Sequence, residues 1–270
     1  RASQGNRRGG PLTRSTERPA LVDSLIEAIG RDEFWPAFQP QLDLRTGEIT
    51  GFEVLARWGD PEGESTSPAV FIPLLEQQGC LDRLFENLLA RACEEAASWP
   101  GSFSLAFNVS PLQLDRDDLP QLLAEILPVT GFPLHRVEIE LTEGVMPPND
   151  SRAHTKLRKL EALGVNVAID DFGIEHSNLA RLESFPFRKL KLDAHFVRDL
   201  DIDPRKREIT AAVISLGHAL GILVVAEGVE TPAEARVLRA LGCDLGQGWL
   251  YGRPEPARQT RLRLERKLDH

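Results

Sequence analysis

The chain has 270 residues, 41% of them hydrophobic and 27% charged, with a formal net charge of -9. That length suits one large barrel or two smaller domains, and the apolar share is ample for a buried core. The acidic balance excludes a domain-wide basic footprint for a DNA or RNA polymer, so an anionic ligand needs local arginine, lysine or bound cations.

Residues 1–20 are rich in Arg, Gly, Ser and Pro, lack an apolar period, and read as a linker or disordered arm. From Leu21 onward, strand-like and helix-like stretches alternate. Strands are expected over Phe34–Leu44, Ile49–Trp58, Phe103–Val109, Val137–Leu141, Val165–Ile169, Lys189–Leu192 and Leu223–Ala226. Amphipathic helices are expected over Ala69–Gln78, Leu81–Ser98, Asp118–Leu127, Asp150–Leu163, Ser177–Glu183, Arg205–Leu220 and Pro232–Leu241. Residues 257–270 read as a basic C-terminal tail. The short turn Arg45–Glu48 makes the first two strands an antiparallel hairpin. Repeated strand–helix units over residues 21–256 point to a single α/β domain, a modified TIM-type (β/α)8 barrel with an antiparallel first strand. An open doubly wound sheet is the alternative, since alternation alone does not decide closure.

Cys80, Cys93 and Cys243 are odd in number and widely spaced, which fits free thiols in a reducing, cytoplasmic setting. No segment reads as a membrane span: the most apolar stretch, Ala211–Ala226, is broken by Ser215, His218 and two glycines. The chain starts at Arg1 and its one methionine is Met146, so it reads as part of a longer protein. That parent is expected to carry regulatory domains and has room for a membrane anchor.

The informative pattern is where charge falls. Asn108, Glu140, Asp170 with Asp171, Lys191 and Glu227 sit at or just past the C-terminal ends of five strands. Glu53 and Arg57, four apart in a strand, share one face. In α/β barrels that rim carries the chemistry. Singly, a strand-end carboxylate is most often a helix cap or a surface ion pair. Together, Glu53, Glu140, Asp170, Asp171 and Glu227 facing one mouth would repel unless they protonate or bind cations. Amide and carboxylate oxygens suit Mg2+ or Mn2+ over thiolate-bound zinc, as one or two ions. These residues by themselves leave phosphodiester hydrolysis and enolisation both open.

The order of motifs resolves the choice. The sequence reads FQP (Phe38–Pro40), GFEVLARW (Gly51–Trp58), FIPLLEQQG (Phe71–Gly79), FNVS (Phe107–Ser110), ELTE (Glu140–Glu143), DDFG (Asp170–Gly173), KLD (Lys191–Asp193), AEGVET (Ala226–Thr231) and GCDLGQG (Gly242–Gly248), then RP (Arg253–Pro254). In this order and spacing it resembles the EAL-domain family of cyclic di-GMP phosphodiesterases. The signature tripeptide is EVL here, a change confined to the strand face opposite Glu53. The resemblance implies hydrolysis of cyclic di-GMP to linear pGpG by a homodimer. It implies Glu53, Asn108, Glu140, Asp170 and Glu227 as ligands of a first metal ion, and Asp171 as reaching a second. It implies Lys191 as orienting or deprotonating the attacking water, Gln247 as holding the water or metal shell, and Arg57 and Gln39 as substrate contacts. It implies Glu143 as a brace for the loop after Asp171. That loop departs from the family pattern at Ile174–Asn178, where Glu175 stands in place of a Gly. The departure leaves a second reading, a catalytically weak or inactive cyclic di-GMP receptor. Trp249 also stands where the family commonly has Tyr.

Overall fold

The structure is a computed structural model that describes residues 17–31, 33–61, 65–116, 118–142, 151–173, 182, 185 and 187–268. Alternating apolar residues drive strand formation. In β4 (Ser104–Asn108), Leu105 and Phe107 are fully packed outward while Ser104, Ala106 and Asn108 take the other face. The same alternation runs through β5 (Val137–Thr142), β6 (Asn166–Phe172) and β7 (Lys189–Leu192). These four strands, with β1 (Phe34–Asp43), β2 (Ile49–Gly59), β8 (Leu223–Ala226) and β9 (Leu245–Gln247), pair side by side and close into an eight-stranded barrel. β1 runs antiparallel to both of its neighbours, β2 and β9, while every other step around the ring is parallel. The expected hairpin is therefore the reason for the reversed first strand. Short strands β3 (Ser65–Thr66) and β10 (Glu255–Pro256) flank the ring.

Helices cover the outside. They are α1 (Glu17–Gly30), α2 (Pro68–Gln77), α3 (Leu81–Ala96), α4 (Pro111–Asp115), α5 (Leu119–Thr130), α6 (Ser151–Ala162), α7 (Ala194–Val197), α8 (Pro204–Ala219), α9 (Pro232–Ala240) and α10 (Ala257–Leu268). Their starts have local causes: Ser110 and Thr231 make capping boxes with Gln113 and Glu234, and Asp203 accepts from the N–H groups of Arg205 and Lys206. The main core lies between barrel and helices, with Leu89, Leu105, Leu123, Ile139, Leu157, Leu190 and Leu238 all fully enclosed. Each such side chain contributes roughly 1.5–3 kcal/mol on burial. A second cluster of Leu25, Ile29, Phe34, Phe71 and Leu84 seats α1 and α2 against β1 and β2.

The two ends of the chain and the last barrel strand add to the expected elements. Helix α1 begins at Glu17, inside the stretch read as a linker, and packs through Leu25, Ala28 and Ile29. Within the stretch read as a basic C-terminal tail, residues 257–268 form helix α10. It is held by Leu264 in the core and by Arg263, which pairs with Glu255 and donates to the Tyr251 carbonyl at 3.0 Å. Leu264, buried among charged residues, gives no apolar period to betray the helix. Strand β9 has only three residues, too few for any periodicity. The expected helix Ser177–Glu183 lies largely outside the described residues.

Candidate active site

Because side chains alternate along a strand, closure turns one face of every strand inward. Near the C-terminal mouth that inner face carries Glu53 of β2, Asn108 of β4, Glu140 of β5, Asp170 of β6, Lys191 of β7 and Gln247 of β9, with Glu227 just past β8. Register lines them up: Gln39 faces Glu53 across β1–β2, and Asn108 faces Glu140 across β4–β5. The structure thus brings together seven of the residues expected there.

Lys191 is the hub. Its Nζ lies 2.8 Å from Glu140 Oε2, 2.8 Å from Glu227 Oε1, 3.1 Å from Asp170 Oδ1 and 3.7 Å from Glu53 Oε2, and the side chain is 1% exposed. Asn108 Nδ2 donates to Glu53 Oε1 at 2.7 Å, and Gln247 Nε2 donates to Glu53 Oε2. One ammonium thus faces four carboxylates in a nearly dry ring, and the electrostatics are lopsided. Burial works against the charge on Lys191, but Glu140, Glu227, Glu53 and Asp170 outweigh it and hold its pKa well above the usual lysine value. Burial also pushes Glu53 up, yet Lys191 and the bonds from Gln247 and Asn108 bring it below the ordinary range. Glu140 and Glu227 lose that competition. Burial, with Glu53 and Asp170 adding to it against Lys191, lifts Glu140 well above a normal carboxylate and Glu227 to about 8.

Asp170 and Asp171 are neighbours, so a regular strand would aim them at opposite faces. Asp171 instead adopts a left-handed backbone, φ 55°, where the β6–β7 register shifts between Ile169 and Phe172. That conformation costs roughly 1–2 kcal/mol for an ordinary residue and less for Asp. It turns both carboxylates to one side: oxygens of Asp170, Asp171 and Glu227 all lie within 4.8 Å of one another. Burial, then the charges of Asp170 and Asp193, raise the pKa of Asp171. Such strain is typical of sites where geometry serves chemistry.

The donor set fits a hard divalent cation. Every candidate ligand is an oxygen, negative charge exceeds the one lysine, and Glu140 Oε1 is buried with no hydrogen-bond partner among the described residues. On the substrate side, Arg57 is half-buried and donates to its neighbour's carbonyl, Ala56 O, at 2.8 Å. Burial lowers the Arg57 pKa, with the Glu53 charge opposing that shift. Gln39 Oε1 accepts from Gln247 Nε2 at 3.3 Å. Gln247 is pinned from behind by a close backbone crossing. A Cβ on Gly248 would meet the Val229 carbonyl at 2.2 Å, so only glycine lets β9 reach the loop after β8. Glu143 and the Ile174–Asn178 loop, with Glu175, lie outside the described residues.

A layer below was missed in the sequence. Lys189 Nζ, one pleat beneath Lys191, donates to Glu138 Oε1 at 2.9 Å and to Gln41 Oε1 at 3.0 Å. Gln41 Nε2 in turn donates to Gln247 Oε1 at 2.9 Å. The signal was available: KLKL and VEIEL place Lys189 and Glu138 on the same face as Lys191 and Glu140.

The chain is similar to known proteins over most of its length. The sequence profile described as "EAL domain" matches residues 22–254. An uncharacterized signaling protein of Caulobacter vibrioides is 42% identical over 240 residues, covering 89% of this chain and 30% of that protein. A cyclic di-GMP phosphodiesterase of Pseudomonas aeruginosa is 36% identical over 249 residues, 90% of this chain and 42% of its own length. The chain therefore spans less than half of these curated relatives. Among solved structures, the PaMucR phosphodiesterase in complex with c-di-GMP superposes with a TM-score of 0.84 at 33% identity, covering 89% of this chain and 99% of that one.

Proposed function

The chain belongs to the EAL domain family, and from that premise we propose that it hydrolyses cyclic di-GMP to linear pGpG with the help of Mg2+ or Mn2+. The observation that carries the reading is the Lys191 hub: four carboxylates around one ammonium at the barrel mouth, with Asn108 and Gln247 attached. A phosphodiesterase relative and a c-di-GMP-bound structural neighbour support the substrate class.

In this reading Glu53, Asn108, Glu140, Asp170 and Glu227 hold a first ion, and Asp171 reaches toward a second. Bound there, the cation supplies Lewis-acid polarisation of a phosphoryl oxygen. The protein's own groups do the positioning. Arg57 takes a non-bridging phosphate oxygen through its guanidinium fork, and Gln39 fixes the dinucleotide beside it. Of the two roles considered for Lys191, orienting the water suits its surroundings better. The carboxylates keep Nζ protonated, so it donates hydrogen bonds and positive charge where the phosphorane charge develops. Asp171, whose carboxylate lies beside those of Asp170 and Glu227, would hold the second ion next to the attacking water, whose proton passes to bulk solvent. Attack forms one P–O bond and breaks the P–O3′ bond, and the departing 3′ oxygen takes a proton from bulk water, leaving a 5′-phosphate and a 3′-hydroxyl. Homodimerisation and control by further domains of a parent protein belong to the same proposal. No helix among the described residues is long and apolar enough to cross a membrane.

The test is incubation with cyclic di-GMP and Mg2+ or Mn2+, with chromatography for pGpG and calorimetry for binding. The proposal expects metal-dependent product. Binding without product would make the domain a receptor, and neither would refute the assignment.

A further inference from the structure

The barrel's other end, at the N-terminal ends of its parallel strands, holds a depression of about 690 Å³ lined largely by polar and charged residues. Three arginines line it from separate parts of the chain. Arg45 comes from the β1–β2 turn, Arg188 from the residue preceding β7, and Arg239 from the last turn of α9. All three are exposed, and buried Lys189 contributes to the same wall. The acidic groups there are already engaged. Asp43 accepts from the N–H groups of Arg45 at 2.8 Å and Thr46 at 2.7 Å. Asp244 accepts from Val224 N–H at 2.9 Å and lies 3.0 Å from His218 Nε2. Glu138 takes the Lys189 ammonium at 2.9 Å. By contrast, none of the three guanidinium groups makes a side-chain hydrogen bond or salt bridge with any described residue. Arg45 lies near the Asp43 carboxylate, and Asp244 shares the lining, but three exposed guanidinium groups around one hollow still stand out in a chain of net charge -9.

Guanidinium groups are weakly hydrated forks of donors that match phosphate oxygens in pairs. The volume falls in the usual range for small-molecule sites. We propose that this depression is an anion site for a small, phosphate-rich ligand of about nucleoside-polyphosphate size. It is separate from the acidic mouth at the opposite end and independent of the hydrolytic reading. The acidic mouth repels such a ligand when no divalent ion is bound, so the two sites can be told apart.

The experiment titrates the full chain with inorganic pyrophosphate by calorimetry, in EDTA and at low ionic strength. It compares the native chain, Arg188→Ala/Arg239→Ala and Arg57→Ala, each checked by circular dichroism. The proposal expects binding to the native chain that Arg57→Ala keeps and that weakens with added salt. In the double variant affinity should fall by about tenfold or more, as expected for loss of charge-assisted bonds to phosphate. No binding to the native chain overturns it. So does unchanged affinity in the double variant, or loss of binding in Arg57→Ala. Because both substituted side chains are exposed and make no hydrogen bond or salt bridge with a described residue, a folded double variant is expected. If it unfolds, Arg188→Gln and Arg239→Gln singly carry the same comparison.

Discussion

Lys189 and Lys191 stand one pleat apart on the inner face of β7, yet their surroundings differ sharply. Lys189 meets one carboxylate, Glu138, and one amide oxygen, Gln41. Lys191 meets four carboxylates. Below, charge is matched one to one, and every bond closes within the barrel. Above, it is not: Glu140 Oε1 has no partner among the described residues, and burial pushes Glu227 up to about 8. In a balanced buried pair attraction offsets much of the desolvation cost, and removing one partner leaves an uncompensated buried charge. A buried surplus of carboxylates around a single ammonium is a place waiting for more positive charge. The contrast separates scaffold from site without reference to any relative.

The difference can be broken from the upper side first. Glu53→Ala or Asp170→Ala removes a proposed ligand, and turnover of cyclic di-GMP should fall to undetectable levels while circular dichroism stays native. Near-native turnover in either variant would make the surplus irrelevant to catalysis. Lys191→Ala at saturating Mg2+ should lower kcat by roughly two to three orders of magnitude, the usual cost of losing a donor to developing charge, with far less change in affinity. An equal loss of affinity would instead make Lys191 a phosphate anchor.

The lower layer should respond in stability rather than rate. Lys189→Met strands the buried Glu138 carboxylate and should cost about 3–5 kcal/mol in denaturant unfolding. Adding Glu138→Leu should recover most of that, and kcat per folded molecule should hold throughout. A drop in kcat as large as that of Lys191→Ala would erase the distinction between the layers. Metal binding supplies a milder probe. Mg2+ at about a hundred times its Kd should stabilise the native chain by about 2.7 kcal/mol. Asp170→Ala should abolish that gain, whereas the Lys189→Met/Glu138→Leu double variant should keep it. The smallest effect is expected from the loop after Asp171. There Glu175→Gly should raise turnover by roughly two- to tenfold by easing the backbone that aims the Asp171 carboxylate. Equal rates in the two proteins would show that Glu175 leaves that carboxylate undisturbed.

Much of this was legible beforehand. Strands Lys189–Leu192 and Leu223–Ala226 have the bounds read from their apolar runs. The antiparallel start followed from a four-residue turn, and the EAL family was identifiable from motif order. Less visible were the elements whose stability is not local. Strand β9 is too short to show a period, and helix α10 is too charged to show an apolar face, so both depend on packing against the rest of the barrel. Lys189, Glu138 and Gln41 went unnoticed because each reads singly as an ordinary polar strand residue.

Side-chain alternation is a property of neighbouring residues, so the sequence alone determined which residues share a strand face and which strand ends carry carboxylates. Whether those faces point into one ring is a property of closure and register, which depend on strands far apart in the chain. Only the tertiary structure could therefore count four carboxylates around Lys191 against one around Lys189. It alone could turn Asp170 and Asp171 to the same side through a left-handed residue, and gather Arg45, Arg188 and Arg239 around the opposite end. Charge balance in a barrel is settled by who faces whom across the ring, and that pairing is written in no single stretch of sequence.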